Sequence, residues 1–157
     1  MHPETLFHPE TLFNVVGKIA MVGWALLVFV PRWRWSQRMA SAIIPLILAI
    51  VYLVLVVLYF AKSPGGFGTL EQVAQLFQNP WLLLAGWIHY LAFDLFLGAW
   101  QVRQAQRLGI SHFLVIPCLL LTFLFGPVGF LVFWTIRSAT ERRFLPRDDW
   151  SVSPGIW

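Results

Sequence analysis

Four long apolar runs constrain the fold of this chain more than any other feature of its sequence. A hydrocarbon core about 30 Å thick is crossed by a helix of roughly 20 apolar residues, and each run is close to that length or longer. The chain is 59% hydrophobic and only 11% charged, whereas soluble domains are about 25% charged. The sequence therefore predicts an all-α, four-transmembrane-helix bundle that leaves no room for a soluble catalytic domain. The predicted helices are Leu12–Val30, Met39–Ala61, Pro80–Trp100 and His112–Ile136.

A short amphipathic segment separates the second and third runs. In TLEQVAQLF, the residues Leu70, Val73 and Phe77 fall on one helical stripe behind a Thr69 cap. This pattern is typical of a short helix that lies in the membrane interface. We therefore expect an interfacial helix between helices two and three.

Two tails flank the predicted transmembrane domain, which spans residues 12–136. Residues 1–11 contain most of a tandem HPETLF duplication, and residues 137–157 form a polar C-terminal tail. A local duplication explains the repeat most simply. A metal site built from the histidines and glutamates of both copies is the alternative.

The basic residues indicate a membrane protein and leave its orientation open. The net charge of +4 does not indicate a nucleic-acid partner, because most basic residues flank the apolar runs, where lipid headgroups attract them. The short basic loops after helices one and three favour a cytoplasmic position for those loops, with both termini outside. The basic C-terminal tail favours the reverse orientation.

The third run, GWIHYLAFDLFLGAW, carries two ionisable side chains at membrane depth. An ionisable side chain at this depth is a candidate functional residue, because burying its charge in the membrane costs free energy unless the charge is paired. At about 100° per residue, His89 and Asp94 point about 140° apart, so they cannot form a dyad on one straight helix. Tyr90 shares the face of Asp94. His112 opens helix four at the end toward which Asp94 lies, so depth alone predicts a cluster of Asp94, Tyr90 and His112.

Each of these residues also has a structural interpretation. His89 can be a neutral packing histidine, and His112 can be a residue at a helix start near the interface. Asp94 can make a structural polar contact with a neighbouring helix or with an arginine at the interface. The deep aromatic residues can fill the core, or they can line a slot for a flat polyene or a macrocycle. The aromatic residues assigned to such a slot are Trp24, Trp87, Phe93 and Phe123.

Three segments resemble the abscisic-acid-deficient-four-like family: ETLFNVVGKIAMVGWALLVFVP, LLAGWIHYLAFDLFLGAW and GISHFLVIPCLLLTFLFGPVGFLVF. The likeness runs from about Glu10 to Arg137. It implies four transmembrane helices in an inner or photosynthetic membrane and a carotenoid or similar isoprenoid ligand. The plant members are associated with neoxanthin synthesis from violaxanthin, in which a carotenoid 5,6-epoxide is isomerised to an allenic alcohol.

The resemblance implies an isomerase that works by acid–base chemistry. An acid protonates the epoxide oxygen and a base removes a vinylic proton, so no redox cofactor is required. We expect Asp94 to be the proton carrier and His89 or His112 to be the second catalytic group. Tyr90 is expected to orient Asp94.

The alternative is a non-catalytic subunit that binds a pigment or scaffolds a photosynthetic membrane complex. His89 would then ligate the magnesium of a bound chlorophyll through a ring nitrogen, and the aromatic residues would pack against the macrocycle. A small transporter or assembly factor is a third class of protein. Four helices with so few polar groups are unlike a path for a solute, which argues against a transporter. The expected partners are membrane lipids, a carotenoid-like isoprenoid and proteins of a membrane complex.

Overall fold

The computed structural model describes residues 8–141, and within this range it contains helices and connecting turns but no strand. The first HPETLF copy and the tail from residue 142 onward lie outside the described residues. Four helices are long and apolar enough to cross a membrane. This confirms the predicted all-α four-helix bundle and a multi-pass integral membrane protein. The helices are α1 (Pro9–Phe29), α2 (Arg34–Lys62), α3 (Leu70–Phe77), α4 (Pro80–Arg107) and α5 (His112–Glu141).

α4 is the central helix, because it is buried along several faces and contacts every other helix. Two glycines allow α1 and α4 to approach closely. A Cβ at Gly98 would lie 2.9 Å from the Trp24 indole, and a Cβ at Gly23 would lie 2.6 Å from Leu95. Small residues at such contacts let helices pack tightly where lipid tails compete for the same apolar surface. The core of the bundle therefore runs along α4.

α2 is largely exposed along its outer face and has an irregular first half. It begins at Arg34, five residues before the predicted start, and passes through a π-helical segment at Met39–Ile43. Pro45 follows this segment and has no N–H to donate, so the widened turn lies where the regular hydrogen-bond ladder is interrupted. A helix that is apolar all round and little covered by protein is typical of one in contact with lipid. Its exposed side chains include Leu46, Ile50, Leu53 and Val57.

α3 begins where the sequence predicts. The Gln72 N–H donates to the hydroxyl oxygen of the N-cap residue Thr69 at 3.2 Å. At the other end of the helix, Leu76 is buried and the Phe77 ring lies 2.8 Å from the Cβ position of Gly86 on α4. α3 therefore packs on α4, at the end of the bundle where α4 begins.

α5 bends sharply at Phe125, whose backbone angles are φ −142° and ψ 47°. The bend divides α5 into a first arm, residues 112–124, and a second arm, residues 126–141. A kink is predicted here because Pro127 lacks an N–H, but the observed bend is larger than a kink. Gly129 lies directly against the backbone and hydroxyl of Thr122, although seven residues of straight helix would separate them by about 10 Å. No side chain fits at Gly129.

The second arm turns back along α4. Gly126 lies against the Asp94 carboxylate, whereas Phe133 and Arg137 both contact the Trp100 ring. Trp100 lies six residues beyond Asp94, about 9 Å closer to the C-terminal end of α4. Both arms therefore pack on the C-terminal half of α4. Each is shorter than the roughly 20 residues that a complete crossing needs.

This geometry predicts that α5 ends on the same side of the membrane as the loop between α1 and α2. We expect Thr140→Cys and Arg34→Cys, each made in a Cys118→Ala background, to lie on one side of the membrane. A membrane-impermeant maleimide should therefore label both in vesicles of one orientation and neither in vesicles of the other. Glu71→Cys on α3 should react in the opposite orientation. The basic side chains of the loop and of Arg137 would then share one side, which the positive-inside rule assigns to the cytoplasm. Labelling of Thr140→Cys together with Glu71→Cys would show instead that α5 crosses the membrane.

Candidate functional site

His89 and Asp94 face different helices, as their predicted separation around α4 requires. The His89 ring meets the Tyr52 ring of α2 at a centroid distance of 5.8 Å. The Asp94 carboxylate lies against Gly126 at the bend of α5. α4 thus presents two separate polar positions, one toward α2 and one toward α5, and their surroundings differ.

Tyr90 satisfies the backbone at the bend of α5. Pro127 has no N–H, so the carbonyl oxygen of Phe123, four residues earlier, lacks its helical partner. The Tyr90 hydroxyl donates a hydrogen bond to that oxygen at 2.8 Å. An unsatisfied backbone group inside a bilayer is costly, because no water reaches it. This hydrogen bond therefore allows the helix to bend within the membrane.

Asp94 lies beside the bend with one carboxylate oxygen unpaired. Its Oδ2 is buried and has no hydrogen-bond partner within residues 8–141. The Tyr90 hydroxyl lies near the carboxylate, but its single hydrogen is donated to Phe123. Tyr90 and Asp94 are thus neighbours on one face of α4, as predicted, and Asp94 retains an oxygen that can carry a proton.

A second polar contact, between α4 and the first arm of α5, is absent from the sequence predictions. The Gln101 side-chain amide donates to the Thr122 hydroxyl at 2.9 Å, and that hydroxyl donates to the Cys118 carbonyl at 2.8 Å. Gln101 and Thr122 are completely buried. Sequence reasoning missed this pair because it ended the helix at Trp100, whereas the polar segment QVRQAQR continues α4 to Arg107.

His112 does not join the other polar residues, so the predicted cluster of Asp94, Tyr90 and His112 is wrong. The His112 Nε2 lies 3.0 Å from the Val28 carbonyl oxygen near the end of α1. Since a carbonyl oxygen only accepts, this nitrogen is the donor. The depth estimate failed because α4 continues to Arg107, about 20 Å beyond Asp94. His112 instead ties the start of α5 to the end of α1.

The four aromatic residues assigned to a ligand slot lie on two sides of α4. Trp24 packs edge-on against Phe123 with ring centroids 5.5 Å apart. Trp87 stacks on the ring of Tyr90, with ring centroids 5.3 Å apart. Phe93 lies on the other side and meets the His89 ring edge-on at 4.6 Å. The predicted single slot is therefore wrong, because these side chains project from α1, α4 and α5 in different directions.

A cavity of about 330 Å³ opens between α2, α3 and α4; we call it the α2–α4 cleft. Phe67 and Phe77 line it near α3, and Gly86 of α4, on which the Phe77 ring packs, lines it as well. Its walls are otherwise mainly aliphatic and aromatic, and the side chains that bring polar atoms to it are Tyr52 and His89. A concave apolar site with a few polar groups is the usual form of a small-molecule site.

Tyr52 and His89 lie deep in the membrane, and no partner for their polar atoms is found among residues 8–141. His89 is nine residues, about 14 Å, from the start of α4 at Pro80. In the part of the chain that the structure describes, neither the phenol nor the imidazole makes a hydrogen bond. A ligand oxygen near both rings would satisfy them, and together the two side chains offer an acid and a base. Sequence reasoning missed Tyr52, because a tyrosine in a helix that is apolar all round gives no sign of which neighbour it faces.

Removing the hydroxyl group of Tyr90 should affect stability, whereas removing that of Tyr52 should not. Tyr90→Phe leaves the Phe123 carbonyl without a donor and should lower the free energy of unfolding by about 1–3 kcal/mol. Tyr52→Phe removes a hydroxyl that has no partner in the described part of the protein and should leave stability nearly unchanged. Thermal unfolding of both variants in one detergent checks this. Equal stability of Tyr90→Phe and the unmodified protein would contradict the assigned role of Tyr90.

Comparison with known proteins gives one match. A family model described as ABA DEFICIENT 4-like matches residues 11–133, a range that contains the α2–α4 cleft, the bend and the Tyr90–Asp94 pair. No curated protein and no solved structure matches the chain. The family match confirms the resemblance seen in the sequence.

Proposed function

The chain belongs to the ABA DEFICIENT 4-like family, which relates it to carotenoid and abscisic-acid metabolism, and we propose that it is a carotenoid epoxide isomerase. The observation that carries this proposal is the α2–α4 cleft, where Tyr52 and His89 face an apolar space at membrane depth. Carotenoids are apolar apart from a few oxygen atoms, so they match a cleft with one polar position.

The isomerisation moves one proton from carbon to oxygen. The Tyr52 hydroxyl donates its proton to the epoxide oxygen as one C–O bond breaks, and the His89 imidazole removes the vinylic proton as the base. The electron pair of the broken C–H bond forms the allene, and the oxygen becomes a hydroxyl group. His89 then returns the proton to the Tyr52 phenolate. The reaction needs no electron donor, and the apolar walls exclude water that would otherwise attack the epoxide.

Loss of either proton-transfer group should lower turnover by about 10²–10⁴-fold. We expect His89→Leu and Tyr52→Phe to form almost no allenic product in cells that accumulate violaxanthin. Asp94→Asn is the matched control, because Asp94 is an ionisable residue of the same helix on the other side of α4, and it should retain most of its turnover. Product is measured by chromatography and normalised to folded protein in the membrane.

The reverse result would relocate the chemistry to the bend of α5. An inactive Asp94→Asn protein with normal melting, beside an active His89→Leu protein, would make Asp94 the proton carrier, as the sequence analysis expects. A wild-type protein that forms no allenic product would refute the isomerase proposal.

A second candidate function is pigment binding without catalysis, within a photosynthetic or other membrane complex. The observation that favours it is the exposed His89 ring, which is free to ligate a chlorophyll magnesium and has the Phe93 ring beside it. An absorption spectrum of the protein purified in mild detergent distinguishes the two functions. Chlorophyll bands that disappear in His89→Leu would support pigment binding, and their absence from the wild type would contradict it.

A further inference from the structure

The α2–α4 cleft continues beyond His89 toward the first half of α2. A second cavity, of about 260 Å³, shares Tyr52 and His89 with the cleft. A third, of about 370 Å³, shares Ala49 and Ala92 with the second and reaches Pro45. The three cavities therefore form one groove between α2 and α4.

The groove is long, and its two ends differ. Between Pro45 and Phe60, α2 rises over 15 residues, or about 22 Å. The end near Phe60 is covered by α3, whose Leu76 is buried against the bundle. At the other end the side chain of Phe96 is exposed at the lipid-facing surface. A molecule longer than the groove can thus leave it at the Pro45 end.

Two alanines line the groove midway along its length. Ala49 of α2 and Ala92 of α4 line the part that follows Tyr52 and His89. Ala92 is buried, whereas the Ala49 methyl group is exposed. A larger side chain at Ala49 would therefore obstruct the groove while leaving the packed core in place.

We propose that this groove binds an elongated isoprenoid with one of its ends in the α2–α4 cleft. The cyclic, oxygenated end group occupies the α2–α4 cleft beside Tyr52 and His89, and the hydrocarbon chain runs past Ala49 and Ala92 to the open end at Pro45. The identity of the end group rests on the proposed function. The two alanines are then specificity-determining residues. Their small side chains admit a thin unsaturated chain, whereas the bulkier end group stays in the cleft.

Two ligands that share a 5,6-epoxide ring but differ in chain length test this arrangement. The long probe is violaxanthin, a carotenoid with 40 carbons, and the short probe is 5,6-epoxy-β-ionone, which has the epoxide ring and a four-carbon side chain. Binding to the purified protein is measured by quenching of tryptophan fluorescence. Ala49→Phe should raise the Kd of the long probe at least tenfold and leave that of the short probe within twofold. His89→Leu should weaken binding of both probes.

Leu53→Phe is the matched control, because Leu53 lies on the exposed face of α2 outside the groove, and it should change neither Kd. If Ala49→Phe melts early, Ala49→Leu replaces it with the same expectation in smaller measure. An unchanged Kd for the long probe, or an equal loss for both probes, would overturn the proposal. Because binding is measured without turnover, a protein that binds as expected but forms no product would refute the isomerase function and retain the groove.

Discussion

The hydrogen bond from Tyr90 to the Phe123 carbonyl is the interaction on which the arrangement of α4 and α5 depends. A proline in a membrane helix frees a carbonyl oxygen that water cannot reach, so the protein itself must supply a donor. Tyr90 supplies it at 2.8 Å. With that oxygen satisfied, α5 can bend at Phe125, and Gly129 can pack on Thr122 where no side chain would fit.

The same reasoning separates the two polar positions of α4. Tyr90 completes the backbone of a neighbouring helix, and Asp94 is packed against Gly126 beside it. On the other side, Tyr52 and His89 have polar atoms that the described part of the chain leaves without partners, next to a cavity of about 330 Å³. Polar groups of this kind are costly in a membrane unless something satisfies them. A ligand that carries an oxygen would do so, which is why the proposed chemistry lies in the α2–α4 cleft.

Much of this fold follows from the sequence, because membrane thickness and helical geometry are general constraints. Apolar length predicts the four helices, and the angle of 100° per residue places His89 and Asp94 on different sides of α4. The partners of these residues do not follow. The sequence places His112 too near Asp94, because nothing in the polar segment after Trp100 indicates that the helix continues to Arg107. The direction in which α5 turns depends on the packing of Gly129.

Only part of the candidate site can be predicted from the sequence, because helix pairing is not visible in it. His89 stands out in the sequence because an ionisable group at membrane depth is rare. Tyr52 does not, since its role depends on the pairing of α2 with α4, and an apolar helix such as α2 has no stripe that reveals which face meets a neighbour. The cleft also depends on α3, whose Leu76 and Phe77 line it. The short TLEQVAQLF segment predicts this helix but does not show where it packs.

The location of the ligand can be determined from an experimental structure of the protein with a bound carotenoid epoxide. We expect the ligand to lie between α2 and α4, with its oxygen within hydrogen-bonding distance of Tyr52 and His89. Ligand density at the bend of α5, in contact with Asp94 and with the α2–α4 cleft empty, would contradict this expectation.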